Sequence, residues 1–153
     1  MQRRVLLMRH AKSGWDDASL NDHQRPLNPR GVKDAPRIAQ VLLDLKWIPK
    51  SVFVSDSKRT LSTLEGMKEV FGEMTTHIME SLYHAPATTI IECIEKASQE
   101  EVTLILSHNP GTEMALYQLT GGFHEMPTAA CALLIEQNGK WHCQRILRPK
   151  ELD

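Results

Sequence analysis

Val5-Leu6-Leu7-Met8-Arg9-His10-Ala11-Lys12-Ser13 is the stretch on which the reading of the chain turns. Four apolar residues run straight into an Arg-His pair and then into small and polar residues. An unbroken apolar run of this length fits a strand buried on both faces. Its C-terminal end carries two side chains capable of anion binding or nucleophilic attack. Ligands of open α/β sheets bind beyond the carboxyl ends of the strands, so the pair marks a candidate site.

The rest of the composition narrows what that site can serve. The chain has 153 residues, of which 41% are hydrophobic and 24% charged. One globular domain spanning 1–153 is expected. Eighteen Lys and Arg against nineteen Asp and Glu give a formal charge of −1. No basic excess is available for sequence-independent binding to nucleic acid, so any anion site must use a few local cations. Cys93, Cys131 and Cys143 are odd in number and lack a C-x-x-C spacing. That argues for reduced thiols, against a disulfide framework, and for the cytoplasm as the compartment. No apolar run is long enough for a signal-peptide core or a membrane span, and no membrane partner is expected.

Outward from the first strand, Ser13 to Gln24 reads as a loop over the strand end. Arg25-Pro26-Leu27-Asn28-Pro29-Arg30-Gly31 follows as a rigid approach to a helix. Asn28 suits the N-cap and Pro29 the first helical position. Pro36 lies inside the apolar stripe Ala35, Ile38, Ala39, Val41, Leu42 and Leu45, which moves the expected effective start to Val32. Ser51 to Ser55 predicts a second strand. Asp56 or Ser57 caps the next helix, which Gly72 ends. Thr76 to Met79 is a weaker strand, Glu80 to Ala85 a loop, and Pro86 to Ala97 a helix. Val102 to Leu106 is the clearest strand, ending in Ser107-His108-Asn109-Pro110-Gly111. Met114 to Leu119 is a short helix. Ala130 to Ile135 and Trp141 to Leu147 form a hairpin around Asn138-Gly139. The expected architecture is α/β, a three-layer sandwich. Its central sheet is mostly parallel, with helices on both faces and an antiparallel C-terminal strand.

Two strands end in histidine, at His10 and His108, on the same edge of a parallel sheet. Arg59 opens the helix after the second strand. One edge can therefore gather Arg9, His10, Arg59 and His108. Two guanidiniums offer forked donors that match phosphoryl oxygens. A neutral imidazole is a nucleophile near neutral pH, and a second can hydrogen-bond the oxygens as charge shifts. No metal or other cofactor is needed for that chemistry. Each residue alone also reads as a solvated or hydrogen-bonded strand-end side chain. Zinc is the other use of paired histidines, but no acid or Cys spacing completes a ligand set. Trp15 lies beside the site and is read as a rim or packing residue.

Leu7-Met8-Arg9-His10-Ala11-Lys12-Ser13 resembles the Arg-His-Gly signature of the histidine phosphatase superfamily, the phosphoglycerate mutase-like group, with Ala11 where most members have Gly. The likeness is greatest to bacterial phosphohistidine phosphatases of the SixA type. Arg25 to Gly31, Val54 to Thr60 and Leu106 to Gly111 match further motifs in order and spacing, over nearly the whole chain. The resemblance implies a phosphoglycerate mutase-like fold. It implies His10 as the phosphorylated nucleophile, Arg9 and Arg59 as phosphate-pocket arginines, and His108 as the second pocket histidine. Arg25 is similar to a further substrate-binding arginine, and a salt bridge to Asp22 is the alternative.

The implied substrate is phosphohistidine on a protein. The alternatives are a small phosphomonoester, or a non-catalytic phosphate-binding adaptor that keeps the pocket. Ester-cleaving members place an acid after the third strand. Here Glu80 and His84 are the candidates, and Glu80 is out of register with the ester-cleaving pattern. Only about twenty residues separate Glu80 from Val102, too few for a large lid, so an open pocket is expected.

Overall fold

β1 (Arg3–Arg9), β2 (Pro49–Ser55), β3 (Thr75–Met79), β4 (Val102–Ser107), β5 (Cys131–Gln137) and β6 (Lys140–Leu147) form one sheet in the order β3-β2-β4-β1-β5-β6. The computed structural model describes residues 2–153. β3, β2, β4 and β1 run parallel, β5 is antiparallel to β1, and β6 is antiparallel to β5. Four helices complete the layers: α1 (Pro29–Asp44), α2 (Lys58–Phe71), α3 (Ala87–Glu95) and α4 (Gly111–Thr120).

The period of two along β1 explains why its apolar run is unbroken. Leu6 and Met8 pack with Ile38 and Leu42 of α1 and Leu64 and Met67 of α2. Val5 and Leu7 face the other way, onto Ile90 and Ile94 of α3 and Ala115 and Leu116 of α4. All four strand residues are fully buried. Each such side chain contributes roughly 1.5–3 kcal/mol relative to exposure, so the strand is stable only with helices on both faces.

The helix ends follow local chemistry. Asn28 accepts from the Gly31 amide at 2.9 Å, and Pro29 opens α1. The helix therefore starts at Pro29, and the expected effective start at Val32 is corrected. Pro36 is accommodated inside the helix, where α2 comes so close that a Cβ on Gly66 would sit 3.4 Å from the Pro36 ring and 2.9 Å from the Ala35 methyl. Ser57 caps α2. Asn138 and Gly139 both have positive φ, 53° and 78°, the geometry of a tight hairpin turn.

The connections locate the site. β1 passes through α1 to β2, on one face and toward one edge. β4 passes through α4 to β5, on the other face and toward the opposite edge. β1 and β4 are neighbours, with Arg9 paired to Ser107. The sheet thus reverses its winding between them, where a crevice opens at the strand ends. His10 and His108 are the next residues on the two strands.

Candidate active site

His10 and His108 face each other across this crevice, with ring centroids 5.2 Å apart. The His10 amide donates to the Ser107 carbonyl at 3.2 Å, and the Ala129 amide donates to the His10 carbonyl at 2.8 Å. His10 Nδ1 lies 2.7 Å from the Ala11 carbonyl oxygen. A carbonyl only accepts, so Nδ1 carries the proton and Nε2 keeps its lone pair. Nε2 faces the Arg59 Nε–H at 3.3 Å. His10 is only 5% exposed. Burial, aided by the charges of Arg59, Arg9 and Arg25, pushes its pKa down to about 4.

Ala11 raises no difficulty in place of glycine. Its φ is not in the left-handed region. Its methyl is buried in the core under α1 and α2, and its amide donates to Thr63 Oγ1 at 2.9 Å.

Arg59 enters from the first turn of α2 and is almost completely buried. Its Nη1 donates to the Asp22 carbonyl at 2.6 Å and its Nη2 to Asp22 Oδ2 at 2.9 Å. Nη2 also lies 3.4 Å from His108 Nδ1. A guanidinium has no acceptor, so that ring nitrogen accepts. The other, Nε2, then donates to Ser55 Oγ at 2.8 Å. Burial, with like charge from His10 and Arg59, pushes the His108 pKa down to about 2. In the free protein, therefore, the pocket-facing nitrogen of His108 is an acceptor. Donation from it to a phosphoryl oxygen requires a proton on Nδ1, which an incoming anion favours.

Arg9, at the end of β1, donates from Nη1 to the Met126 carbonyl at 3.3 Å and leaves its buried Nε without a protein partner. Arg25 makes the ion pair with Asp22 at 3.1 Å and also reaches the site, where Nη1 donates to Ser13 Oγ at 2.7 Å. Its guanidinium lies 3.4 Å from the centre of the Trp15 ring. Trp15 is exposed and forms part of the rim. The two readings of Arg25 are thus compatible. Arg9, His10, Arg25, Arg59 and His108 line one open cavity of about 300 Å³, together with Lys12, Ser13, Asp22, His84 and Thr128. Four cationic side chains against one carboxylate make it a site for an anion.

Two glycines hold the loops in place. A Cβ on Gly31 would lie 2.1 Å from the Lys12 carbonyl oxygen, because the start of α1 abuts the residues after His10. A Cβ on Gly111 would lie 2.1 Å from the Ala85 carbonyl oxygen, because the start of α4 abuts the loop after β3. The motifs ending in these glycines therefore fix the two walls of the pocket.

Asp22 is the residue whose weight the sequence conceals. Asn21 caps the short 3-10 turn Asp22–Gln24, which lifts the Asp22 carboxylate over the pocket. Tyr83 Oη donates to its Oδ2 at 2.5 Å, and His84 Nε2 lies 2.8 Å from the same oxygen. Partial burial opposes its ionisation, but hydrogen bonds from Tyr83, His84 and Arg59 outweigh it and hold the carboxyl well below the usual range. The only sequence signal was its i, i+3 spacing to Arg25. Ser55 and Tyr83 gave none. Glu80 is exposed and does not line the pocket, whereas His84 does. Among the described residues, no group of three or more His, Cys, Asp and Glu is placed to hold a metal ion. No helix among them is long and apolar enough to cross a membrane.

Known proteins resemble this chain in sequence and in fold. The family model described as histidine phosphatase superfamily (branch 1) matches residues 5–85, more than half of the chain. An uncharacterized chloroplastic protein of Arabidopsis thaliana is 36% identical over 152 residues, covering 92% of this chain and 70% of the relative. A structure assigned as the phosphohistidine phosphatase SixA of Agrobacterium tumefaciens superposes with a TM-score of 0.84 at 28% identity, over 96% of this chain and 98% of that one. The protein histidine phosphatase SixA complexed with tungstate gives 0.85 at 22% identity, over 98% and 99%. A phosphoserine phosphatase of Entamoeba histolytica gives 0.74 at 13%, over 98% and 99%, a likeness of fold alone. The phosphoglycerate mutase-like fold and the family match agree, and the chain belongs to the histidine phosphatase superfamily, branch 1.

Proposed function

We propose that this chain is a metal-independent phosphatase that works through a phosphohistidine at His10 and acts on phosphohistidine in proteins. The observation that carries the proposal is the tautomer of His10: the Ala11 carbonyl accepts a hydrogen bond from Nδ1–H, which keeps the proton on Nδ1 and leaves Nε2 of the neutral ring as the nucleophile. Arg9, Arg25 and Arg59 hold the phosphoryl oxygens, and their charge keeps the imidazole unprotonated. Nε2 attacks phosphorus opposite the leaving group, and water then hydrolyses the phosphorylated enzyme. Preorganised donors stabilise the charge that develops on the oxygens. The tungstate held by a SixA protein, an oxyanion resembling phosphate, is in keeping with a phosphoryl site of this kind.

The open mouth supports a macromolecular substrate. His84 and Trp15 stand exposed at the rim, and a phosphorylated side chain can enter between them. Small phosphomonoesters can enter by the same route, which keeps the phosphomonoesterase as the second reading. An adaptor without activity is disfavoured by the prepared tautomer of His10, which phosphate binding alone does not need.

Rapid mixing with labelled phosphohistidine protein tests the reading. Acid-labile, base-stable label should appear on wild type and not on His10→Ala. Label that persists in His10→Ala, or none in wild type, overturns it. The ratio of kcat/KM for phosphohistidine protein to that for sugar phosphates decides between the two substrate classes.

A further inference from the structure

Trp15 is the exception in the wall of the cavity around His10. Every other side chain that lines this cavity is charged, polar or a histidine. At 74% exposure Trp15 is also the most exposed large apolar side chain among the described residues, and the others of that kind lie away from the cavity. It belongs to neither half of the hydrophobic core. Packing inside the protein therefore does not account for an indole at this position.

The chain nevertheless holds the ring in place. Ser13 bridges to Leu27, and the Gly14 amide donates to the Pro26 carbonyl at 3.0 Å. The backbone just before Trp15 is thereby fastened to the segment that carries Arg25. One face of the indole lies on the Arg25 guanidinium, 3.4 Å from the ring centre, a cation–π contact. Arg25 is itself buried and anchored, with Nε donating to Asp22 Oδ1 at 3.1 Å and Nη1 to Ser13 Oγ at 2.7 Å. The covered face is fixed by an immobile cation, and the rest of the indole is open at the mouth.

A phosphohistidine substrate has a matching division. Its oxyanion end belongs among Arg9, Arg25 and Arg59. Attack by His10 comes from the side opposite the bond that breaks, so the leaving group points to the mouth. In phosphohistidine that group is an imidazole bonded directly to phosphorus, a flat ring that begins where the cationic zone ends. Aromatic pairs are favourable in offset-stacked and edge-to-face arrangements, and the charged walls offer the ring no comparable contact.

We propose that Trp15 is a specificity-determining residue, whose indole packs against a planar ring bonded to phosphorus and selects such substrates over phosphoryl groups that carry no ring. The proposal deepens the reading of the site as a phosphohistidine phosphatase and rests on it.

The test is calorimetric binding of phenylphosphonate and methylphosphonate. Phenylphosphonate joins a flat ring directly to phosphorus as phosphohistidine does, and methylphosphonate lacks the ring. Wild type should bind phenylphosphonate more tightly. Trp15→Leu, which keeps an apolar side chain and removes the ring, should weaken phenylphosphonate about threefold to tenfold and leave methylphosphonate unchanged. Trp15→Phe should retain part of the preference. Phosphoimidazole and phosphoramidate should show the same split in kcat/KM. No preference in wild type, or no effect of Trp15→Leu, overturns the proposal. An equal loss for both phosphonates also overturns it, because Trp15 would then serve only to seat Arg25. The phosphonates are not hydrolysed, so their binding is read without turnover. Absence of label on His10 of wild type would instead overturn the mechanism, with the binding preference measured separately.

Discussion

The Nδ1 of His10 and the carbonyl oxygen of Ala11 lie 2.7 Å apart, a hydrogen bond between a side chain and the next residue of its own chain. The backbone thus sets the tautomer of the proposed nucleophile without help from a second side chain. Burial and the neighbouring guanidiniums then keep the ring neutral.

The rate of His10 phosphorylation in a single turnover should follow from that environment. A histidine loses its nucleophilic lone pair when protonated, so the rate falls as pH drops through the folded-state pKa. With that value near 4 instead of 6.5, the rate should be nearly level from about pH 7 to pH 5 and fall below that. An acid limb centred near the ordinary histidine value contradicts it.

Stability should carry the same signature with a definite sign. The unfolded chain protonates His10 around 6.5, whereas the folded protein does so near 4. The unfolded state therefore binds more protons in that window, and stability falls as pH falls. His10 alone should contribute a loss of about 2 kcal/mol between about pH 7 and pH 5. Urea midpoints of wild type and His10→Asn at the two pH values isolate this part. An equal pH dependence in both proteins counts against the buried, neutral imidazole.

Arg59 ties His10, His108 and Asp22 together. Arg59→Ala should lower kcat/KM by about a hundredfold or more, and Arg59→Lys should recover little of it, because an ammonium cannot reproduce the forked donors. Steady-state kinetics with phosphohistidine protein checks both. Full activity in Arg59→Lys would mean that charge alone suffices.

Ser55→Ala removes the acceptor that orients His108. One such hydrogen bond is worth about 1 kcal/mol, so kcat/KM should fall by about fivefold to tenfold, with a comparable loss of stability in urea. Unchanged kinetics would show that the orientation of His108 is held elsewhere.

Gly31→Ala places a methyl against the Lys12 carbonyl. The loop after His10 must shift, at a cost of roughly 1–3 kcal/mol, and activity should fall with it. A urea midpoint equal to that of wild type would refute the close approach of α1 to this loop.

The legible parts of the molecule were those in which local sequence and tertiary role coincide. β1 and β4 are buried on both faces, so their apolar runs end where the strands end, at Arg9 and Ser107. Asn28, Ser57 and Asn138-Gly139 act through their own neighbours, and each sits where its chemistry suggests. α1 starts at Pro29 and not at the Val32 that Pro36 suggests, because the Asn28 cap and the packing against Gly66 outweigh the proline. Asp22 was not legible as a hub. Its partners Arg59, Tyr83 and His84 are 37, 61 and 62 residues away, and no local pattern reports a contact of that range.

The central claim is that Nε2 of His10 carries the phosphoryl group. Acid-free trapping of the phosphorylated enzyme, peptide mapping by mass spectrometry and phosphorus NMR of the mapped histidine test it most directly. The account predicts phosphate on His10 alone, bonded to Nε2, and its loss in His10→Ala. Phosphate on Nδ1, on another residue, or on no residue during turnover contradicts it.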